Sequence, residues 1–261
     1  MGAIDTDAGR IGLIEQGHGG TSLVLLHGVG SDKSVWQPQL DAFGGERRTV
    51  ALDYPGYGDS APRAGAGLDD FAASCWAALD ALGIENAHLC GLSLGGVVAI
   101  AMYAAAPERC ASLILADSFA RHPDGQAIHD RSVAAAANLG MRGLAEARVG
   151  ALVAPGTSAV LQANLIETMA AIDPAAYVQG AAAVWLADQR ERVSLIRCPV
   201  LILCGSEDAI TPPALSEDLK DRIPHAALVE IVGAGHLSNI EQPAIFNRVL
   251  AGFLAGVEDA R

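Results

Sequence analysis

Short, continuously apolar runs alternate with helix-patterned segments along most of this chain, and that alternation restricts the possible folds more than any other feature. The runs are SLVLLHG (22–28), RRTVALD (47–53), the stretch from Ala87 to Leu92, ASLILAD (111–117), PVLILCG (199–205) and ALVEIVG (227–233). A strand that is apolar on both sides must be covered on both faces, which is the condition of a parallel sheet between two layers of helices. Ahead of these runs Asp7-Ala8-Gly9 predicts a hairpin turn, with Ile11 to Glu15 as its second strand. The sequence therefore predicts an α/β fold with a mostly parallel eight-stranded sheet and helices on both faces. In such a sheet the strand C-termini share one edge, and ligands bind there.

The interval from Phe119 to Arg190 breaks the alternation. It carries helical patterns near 124–139, 141–152, 158–171 and 174–187, separated by Gly140, Pro155-Gly156 and Asp173-Pro174, and no strand pattern. The expected organisation is a core of residues 1–118 and 191–261, with 119–190 inserted after the sixth strand as a helical cap. Placed over the ligand-binding edge, it would act as a lid. Its charges are nearly balanced, with Arg121, Arg131, Arg142, Arg148 and Arg190 against Asp124, Asp130, Glu146, Glu167, Asp173 and Asp188.

The rest of the chain is acidic. A formal charge of −13 with two lysines, Lys33 and Lys220, argues against a nucleic-acid surface, which needs clustered cations on phosphate. No apolar run reaches the roughly 18 residues that cross a bilayer, and the opening MGAIDTDAGR lacks a signal-like apolar stretch, so a cytoplasmic protein without a membrane partner is expected. Cys75, Cys90, Cys110, Cys198 and Cys204 show no C-x-x-C spacing and read as small core residues. Nothing suggests a macromolecular partner; the chain is expected to be a monomer or homodimer.

Chemistry concentrates at Gly91-Leu92-Ser93-Leu94-Gly95, where the apolar run changes from strand to helix period. A sharp strand-to-helix turn strains its central residue and leaves no room for side chains two positions away, so glycines flank a serine whose hydroxyl stands clear of the sheet edge. The same turn offers the Leu94 N–H at a helix start, where an oxyanion can be stabilised. A serine needs a base, and the base a buried acid. Asp208 follows the 199–205 run and His236 follows the 227–233 run, giving the order Ser93, Asp208, His236.

Asp117, at the end of an earlier strand, is a rival for the acid, and Asp208 could alternatively form an Asx turn before Thr211-Pro212-Pro213. His27-Gly28-Val29-Gly30 is the expected second part of the oxyanion hole, with the Val29 N–H as donor and His27 as a brace. The loop from Asp53 to Ser60 reads as structural. His18, His88, His122, His129 and His225 read as surface or internally satisfied residues.

The segments HGVG, DYPGYGDS, GLSLGG, GSEDAITP and AGHLSNIEQP, in this order over nearly the whole chain, resemble the α/β-hydrolase superfamily. Within it AGHLSNIEQP, GMRGLAEARV and AAVWLADQRERVSLIRCPVLIL look most like the 3-oxoadipate enol-lactonase group of small cap-bearing hydrolases. The resemblance implies hydrolysis of a small-molecule ester or lactone without metal or cofactor, and carries over to Ser93, Asp208, His236 and the Val29 and Leu94 amides. One departure is the cap segment Ile128-His129-Asp130-Arg131, where that group tends to carry a tryptophan three residues before the arginine. Carbon-carbon bond hydrolases, cofactor-free perhydrolases and a non-catalytic ligand receptor keep the same residues and remain open, whereas epoxide hydrolases and haloalkane dehalogenases place aspartate at the elbow. Candidate pocket residues are Trp36, Leu139, Met141, Leu144, Leu165, Met169 and Trp185, with Arg131 or Arg121 for a substrate carboxylate.

Overall fold

Alternating side chains along the apolar strands divide the core into two halves, one on each face of a single sheet. In the computed structural model, which describes residues 2–260, Leu23 and Leu25 point into one apolar cluster while Val24 and Leu26 join the other. The strands are β1 (Gly2–Thr6), β2 (Gly9–Gln16), β3 (Ser22–Leu26), β4 (Thr49–Leu52), β5 (Ala87–Leu92), β6 (Cys110–Ala116), β7 (Val200–Gly205) and β8 (Ala227–Ile231). Their order is β1-β2-β4-β3-β5-β6-β7-β8, with β2 antiparallel to β1 and β4 and the other pairs parallel. Every residue of β3 to β7 is buried, as their predominantly apolar sequence requires, the polar Ser22, Thr49, His88 and Ser112 included. At the sheet's edge, β8 is largely exposed or half-buried.

Helices cover both faces. On one side α1 (Gln37–Phe43) brings Leu40 and Phe43 against Leu23 and Leu25; on the other α2 (Leu68–Ala81) and α3 (Leu94–Ala105) supply Phe71, Leu79, Val97 and Ile100. Between β6 and β7 lie α4 (Gly125–Leu152), α5 (Ala159–Ala170), α6 (Pro174–Trp185) and the short α7 (Arg190–Ser194). Gly140, at φ 68°, breaks α4 into the two helical stretches its sequence predicts. The chain finishes with α8 (Pro213–Arg222), α9 (Ser238–Glu241) and α10 (Pro243–Asp259), whose Phe246, Leu250 and Leu254 complete the α1 face. No helix among the described residues is long and apolar enough to cross a membrane.

One expectation changes here and one holds. Trp36 is fully buried against Phe246 and faces the core under α10 rather than a pocket, because its bulky ring fills the space between α1 and the last helix. Burial pushes all five cysteine thiols above their ordinary range, Cys204 to about 11 and Cys198 to about 12, so they pack as neutral side chains.

Candidate active site

Ser93 sits on the turn between β5 and α3 at φ 55° and ψ −115°, a conformation that costs a non-glycine residue energy. Its neighbours explain how the strain is held. A Cβ on Gly91 would collide with the Gly95 backbone, and one on Gly95 with the Leu26 carbonyl, so the elbow needs both glycines. Ser93 N–H donates to Ala116 O at 2.9 Å, and Ser118 Oγ donates to Ser93 O at 2.9 Å, fixing the turn to β6. The serine is buried, and its Oγ has no hydrogen-bond partner among the described residues.

His236 lines the same cavity as Ser93. Its Nδ1 lies 2.9 Å from Asp208 Oδ2, with Asp208 4% and His236 4% exposed. Oδ1 of Asp208 accepts the Ile210 and Thr211 N–H groups at 2.8 and 2.9 Å, while the Thr211 hydroxyl donates to Oδ2 at 2.6 Å. Asp208 therefore makes the Asx turn before Pro212 with one oxygen and orients the histidine with the other. Burial alone would raise its pKa, but the charge of His236 and these hydrogen bonds hold the carboxyl below its ordinary range. Burial likewise works against the His236 cation, and the charge and hydrogen bond of Asp208 outweigh it, so the imidazole titrates above the usual histidine value. Ser93 and His236 make no direct hydrogen bond here; such contacts are commonly loose without substrate and tighten when it binds.

Asp117 occupies a different place in this arrangement. Fully buried at φ 47°, it accepts the Gly205 N–H at 2.7 Å and the Ser238 hydroxyl at 2.5 Å, bridging the turns that carry Asp208 and His236. It acts on His236 by charge but does not touch the ring.

The loop after β3 approaches the elbow from the other side. Gly28 faces the Ser93 side chain, where an added Cβ would lie 3.5 Å from the Ser93 Cβ. The Val29 N–H makes no hydrogen bond among the described residues, and Leu94 opens α3, where N–H groups lack a partner one turn back. The loop is braced from beneath. Tyr54 Oη donates to His27 O at 3.0 Å, Tyr57 Oη donates to Val29 O at 3.2 Å, and buried Lys33 pairs with Asp53 at 2.6 Å. His27 itself is buried, which lowers its pKa despite nearby Asp53, and its Nδ1 lies 2.8 Å from the Gly28 carbonyl.

The helical segment between β6 and β7 closes the cavity with Arg148, Leu152, Leu165, Met169 and Trp185. The space left is about 30 Å³, enough for a water or two. A second chamber of about 340 Å³ adjoins it, sharing Arg148 and Trp185 and including Arg131 and Leu144. Leu139 instead stands 56% exposed beside the Gly140 break, and Met141, though buried, packs in the core rather than on either chamber. Arg121 is a surface residue paired with Asp188 at 3.9 Å.

Sequence reasoning passed over Thr211, Arg148 and Glu241. Glu241 accepts the N–H groups of Gly235 and Leu237 on either side of His236, and also those of Ala154 and the Thr157 hydroxyl from the helical segment. The clue for Thr211 is its place three residues after Asp208, within reach of that carboxylate; a lone Arg or Glu on a helix offers no comparable signal.

A sequence profile described as the alpha/beta hydrolase family matches residues 23–249. The 3-oxoadipate enol-lactonase 1 of Acinetobacter baylyi is 31% identical over 91% of this chain and 90% of its own length. Among solved structures, the enol-lactonase from Burkholderia xenovorans superimposes with a TM-score of 0.91 at 26% identity, covering 97% of this chain and 99% of the other. A malate-bound thermophilic esterase from Thermogutta terrifontis gives 0.90 at 27% identity, covering 98% of both chains.

Proposed function

The chain belongs to the alpha/beta hydrolase family, and we propose that it is a serine hydrolase cleaving a small carboxylic ester or lactone through an acyl-enzyme. The observation that carries this reading is the pairing of an unpartnered Ser93 hydroxyl on a strained turn with a His236–Asp208 pair on one small cavity. His236 takes the Ser93 proton as Oγ attacks the carbonyl, and Asp208 stabilises the imidazolium. The Val29 and Leu94 N–H groups donate to the oxyanion, and the imidazolium then gives its proton to the leaving oxygen. Water repeats the sequence and frees the acid; in a lactone the leaving group stays tethered. Residues 119–190 serve as the cap that selects the substrate.

A lactone substrate is supported by the Acinetobacter baylyi relative and the Burkholderia xenovorans structure, both named as enol-lactonases. The test is kcat/KM for 3-oxoadipate enol-lactone beside p-nitrophenyl butyrate, with Ser93→Ala as the blank. The reading expects turnover of at least one, lost by several powers of ten in the variant. Turnover retained by Ser93→Ala overturns the serine mechanism, and a lactone no better than the butyrate overturns the lactone assignment.

A further inference from the structure

Thr211 Oγ1 is buried where the three loops that follow β6, β7 and β8 meet. It lies 3.0 Å from the Asp117 carbonyl, 2.6 Å from Asp208 Oδ2 and 3.1 Å from His236 Nδ1, so one hydroxyl reaches a residue of each loop. A hydroxyl has one proton to give and an oxygen that accepts. Of its two oxygen acceptors the carboxylate is charged and nearer, and 2.6 Å is the separation of an O–H donating to an ionised oxygen. The proton therefore goes to Asp208. Nδ1 of His236 faces Thr211 Oγ1 and Asp208 Oδ2, both acceptors toward it, and carries its own proton.

Oδ2 of Asp208 thus serves two donors, Thr211 and His236. Oδ1 serves two more, the N–H groups of Ile210 and Thr211, which fills the roughly four acceptor positions that a carboxylate has. A carboxylate satisfied in this way is fixed in place and weakly basic. Burial works against its charge and His236 favours it; the hydroxyl and N–H of Thr211 add to what holds the carboxyl below its ordinary range. For His236, burial opposes the cation and Asp208 favours it most, with Asp117 adding to that by charge. Arg148, the other charged side chain on the cavity among the described residues, opposes it. Thr211 enters this balance through Asp208, because the density that Oδ2 gives to the hydroxyl is withheld from the imidazolium.

We propose that Thr211 is a positioning residue of the acid–base pair: its hydroxyl fixes Asp208 and shares Oδ2 with His236, so the imidazole is oriented without being over-stabilised as a cation. The histidine then remains a neutral base closer to neutral pH than Asp208 alone would leave it. The catalytic consequence rests on the serine-hydrolase reading; the effect on the imidazole does not.

Thr211→Val removes the hydroxyl and keeps both the branched shape and the N–H that closes the turn on Asp208 Oδ1. In this variant the acidic limb of kcat/KM for p-nitrophenyl butyrate moves to higher pH. On the plateau kcat falls by about three- to ten-fold with KM unchanged, the net worth of one hydrogen bond. Thr211→Ser, which keeps the hydroxyl, restores both. A residue that only packs the turn leaves Asp208 slack when it is cut back, and the limb then stays in place or moves to lower pH, as on loss of the acid. Either result overturns the proposal.

The imidazole gives a readout that needs no turnover. Followed by NMR in the resting protein, the His236 ring titrates at higher pH in Thr211→Val than in the wild type. Should valine unfold the chain, Thr211→Cys, of similar size and a weaker donor, moves the titration in the same direction. If the ring shifts upward while the wild type hydrolyses no ester, the hydrolase reading fails and the role of Thr211 toward His236 stands. If esters are hydrolysed and the ring titrates unchanged or lower, the hydrolase stands and the proposal is refuted.

Discussion

Asp117 and Asp208 both act on His236 through charge, but Asp208 alone touches its ring, at 2.9 Å from Nδ1. Burial, with the charge of Asp208 added, pushes the Asp117 carboxyl up to about 7. An acid raised in the folded state contributes stability that is complete below its unfolded pKa, near 3.8, and is lost as pH rises through about 7. Asp117→Asn resembles the protonated acid in shape, so it should remove that decline, a change on the order of 1 to 4 kcal/mol between pH 5 and 7.5. Urea midpoints at the two pH values measure it; an equal decline in the variant refutes the assignment. The activities should separate the two acids as well. Asp208→Asn should lower kcat by roughly 10³ to 10⁴, as loss of an orienting acid does, and Asp117→Asn by less than about ten-fold.

On the proposed serine mechanism, His236 should set the acidic limb of the rate profile. The base must be neutral to take the serine proton, and its raised pKa means that kcat/KM falls with acid through a value above the ordinary 6.5. Removing the Asp208 charge takes away the main influence that raises it, so the residual activity of Asp208→Asn should show this limb displaced to lower pH. A limb that stays in place would mean that another group controls it. For stability the sign is the opposite of a depressed carboxylate: the His236 contribution is whole below pH 6.5 and lost as pH rises through its folded value.

Glu241 ties the histidine turn to the helical segment. One carboxylate oxygen accepts from Gly235 at 3.0 Å and Leu237 at 3.2 Å, and the other from Ala154 at 2.7 Å and Thr157 Oγ1 at 3.1 Å. His236 N–H adds a bond to Leu152 O at 3.0 Å. Glu241→Gln places an amide donor where at least one N–H now donates, at a cost of about 1 to 3 kcal/mol. The expected results are a lower Tm, faster hydrogen exchange at residues 152–157, and a kcat loss that exceeds any KM change. Unaltered exchange in that segment would show that the clasp is not what holds it.

Period and turn chemistry made the architecture legible, because continuous apolar strands and a glycine-flanked serine each admit few structures. The four predicted helical patterns between β6 and β7 all form, with Gly140 at φ 68° separating the two halves of α4 where its sequence places the break. Pocket assignments were less legible. Trp36, Leu139 and Met141 have the apolar character of pocket walls, but whether such a side chain meets a cavity, the core or solvent depends on helix rotation and packing, which local sequence does not encode. Arg148 was hidden for the complementary reason: five arginines in the segment look alike until their carboxylate partners, or lack of them, are known.

On the proposed acyl-enzyme reading, Met169 should limit how much acyl chain the first cavity admits. Its side chain is 2% exposed and faces Gly30 so closely that a Cβ there would lie 3.3 Å from its Sδ. The glycine therefore makes room for the thioether over the loop after β3, and the cavity is reduced to about 30 Å³. Met169→Ala should lengthen this space and raise the ratio of kcat/KM for p-nitrophenyl octanoate to that for the butyrate by about ten-fold, as roughly two methylenes' worth of chain gain a place to bury. The same truncation should cost about 2 to 5 kcal/mol of stability, the usual range for removing a buried methionine side chain. If stability falls while the chain-length ratio stays fixed, Met169 is a packing residue of α5 and the acyl limit is set elsewhere on the cavity wall.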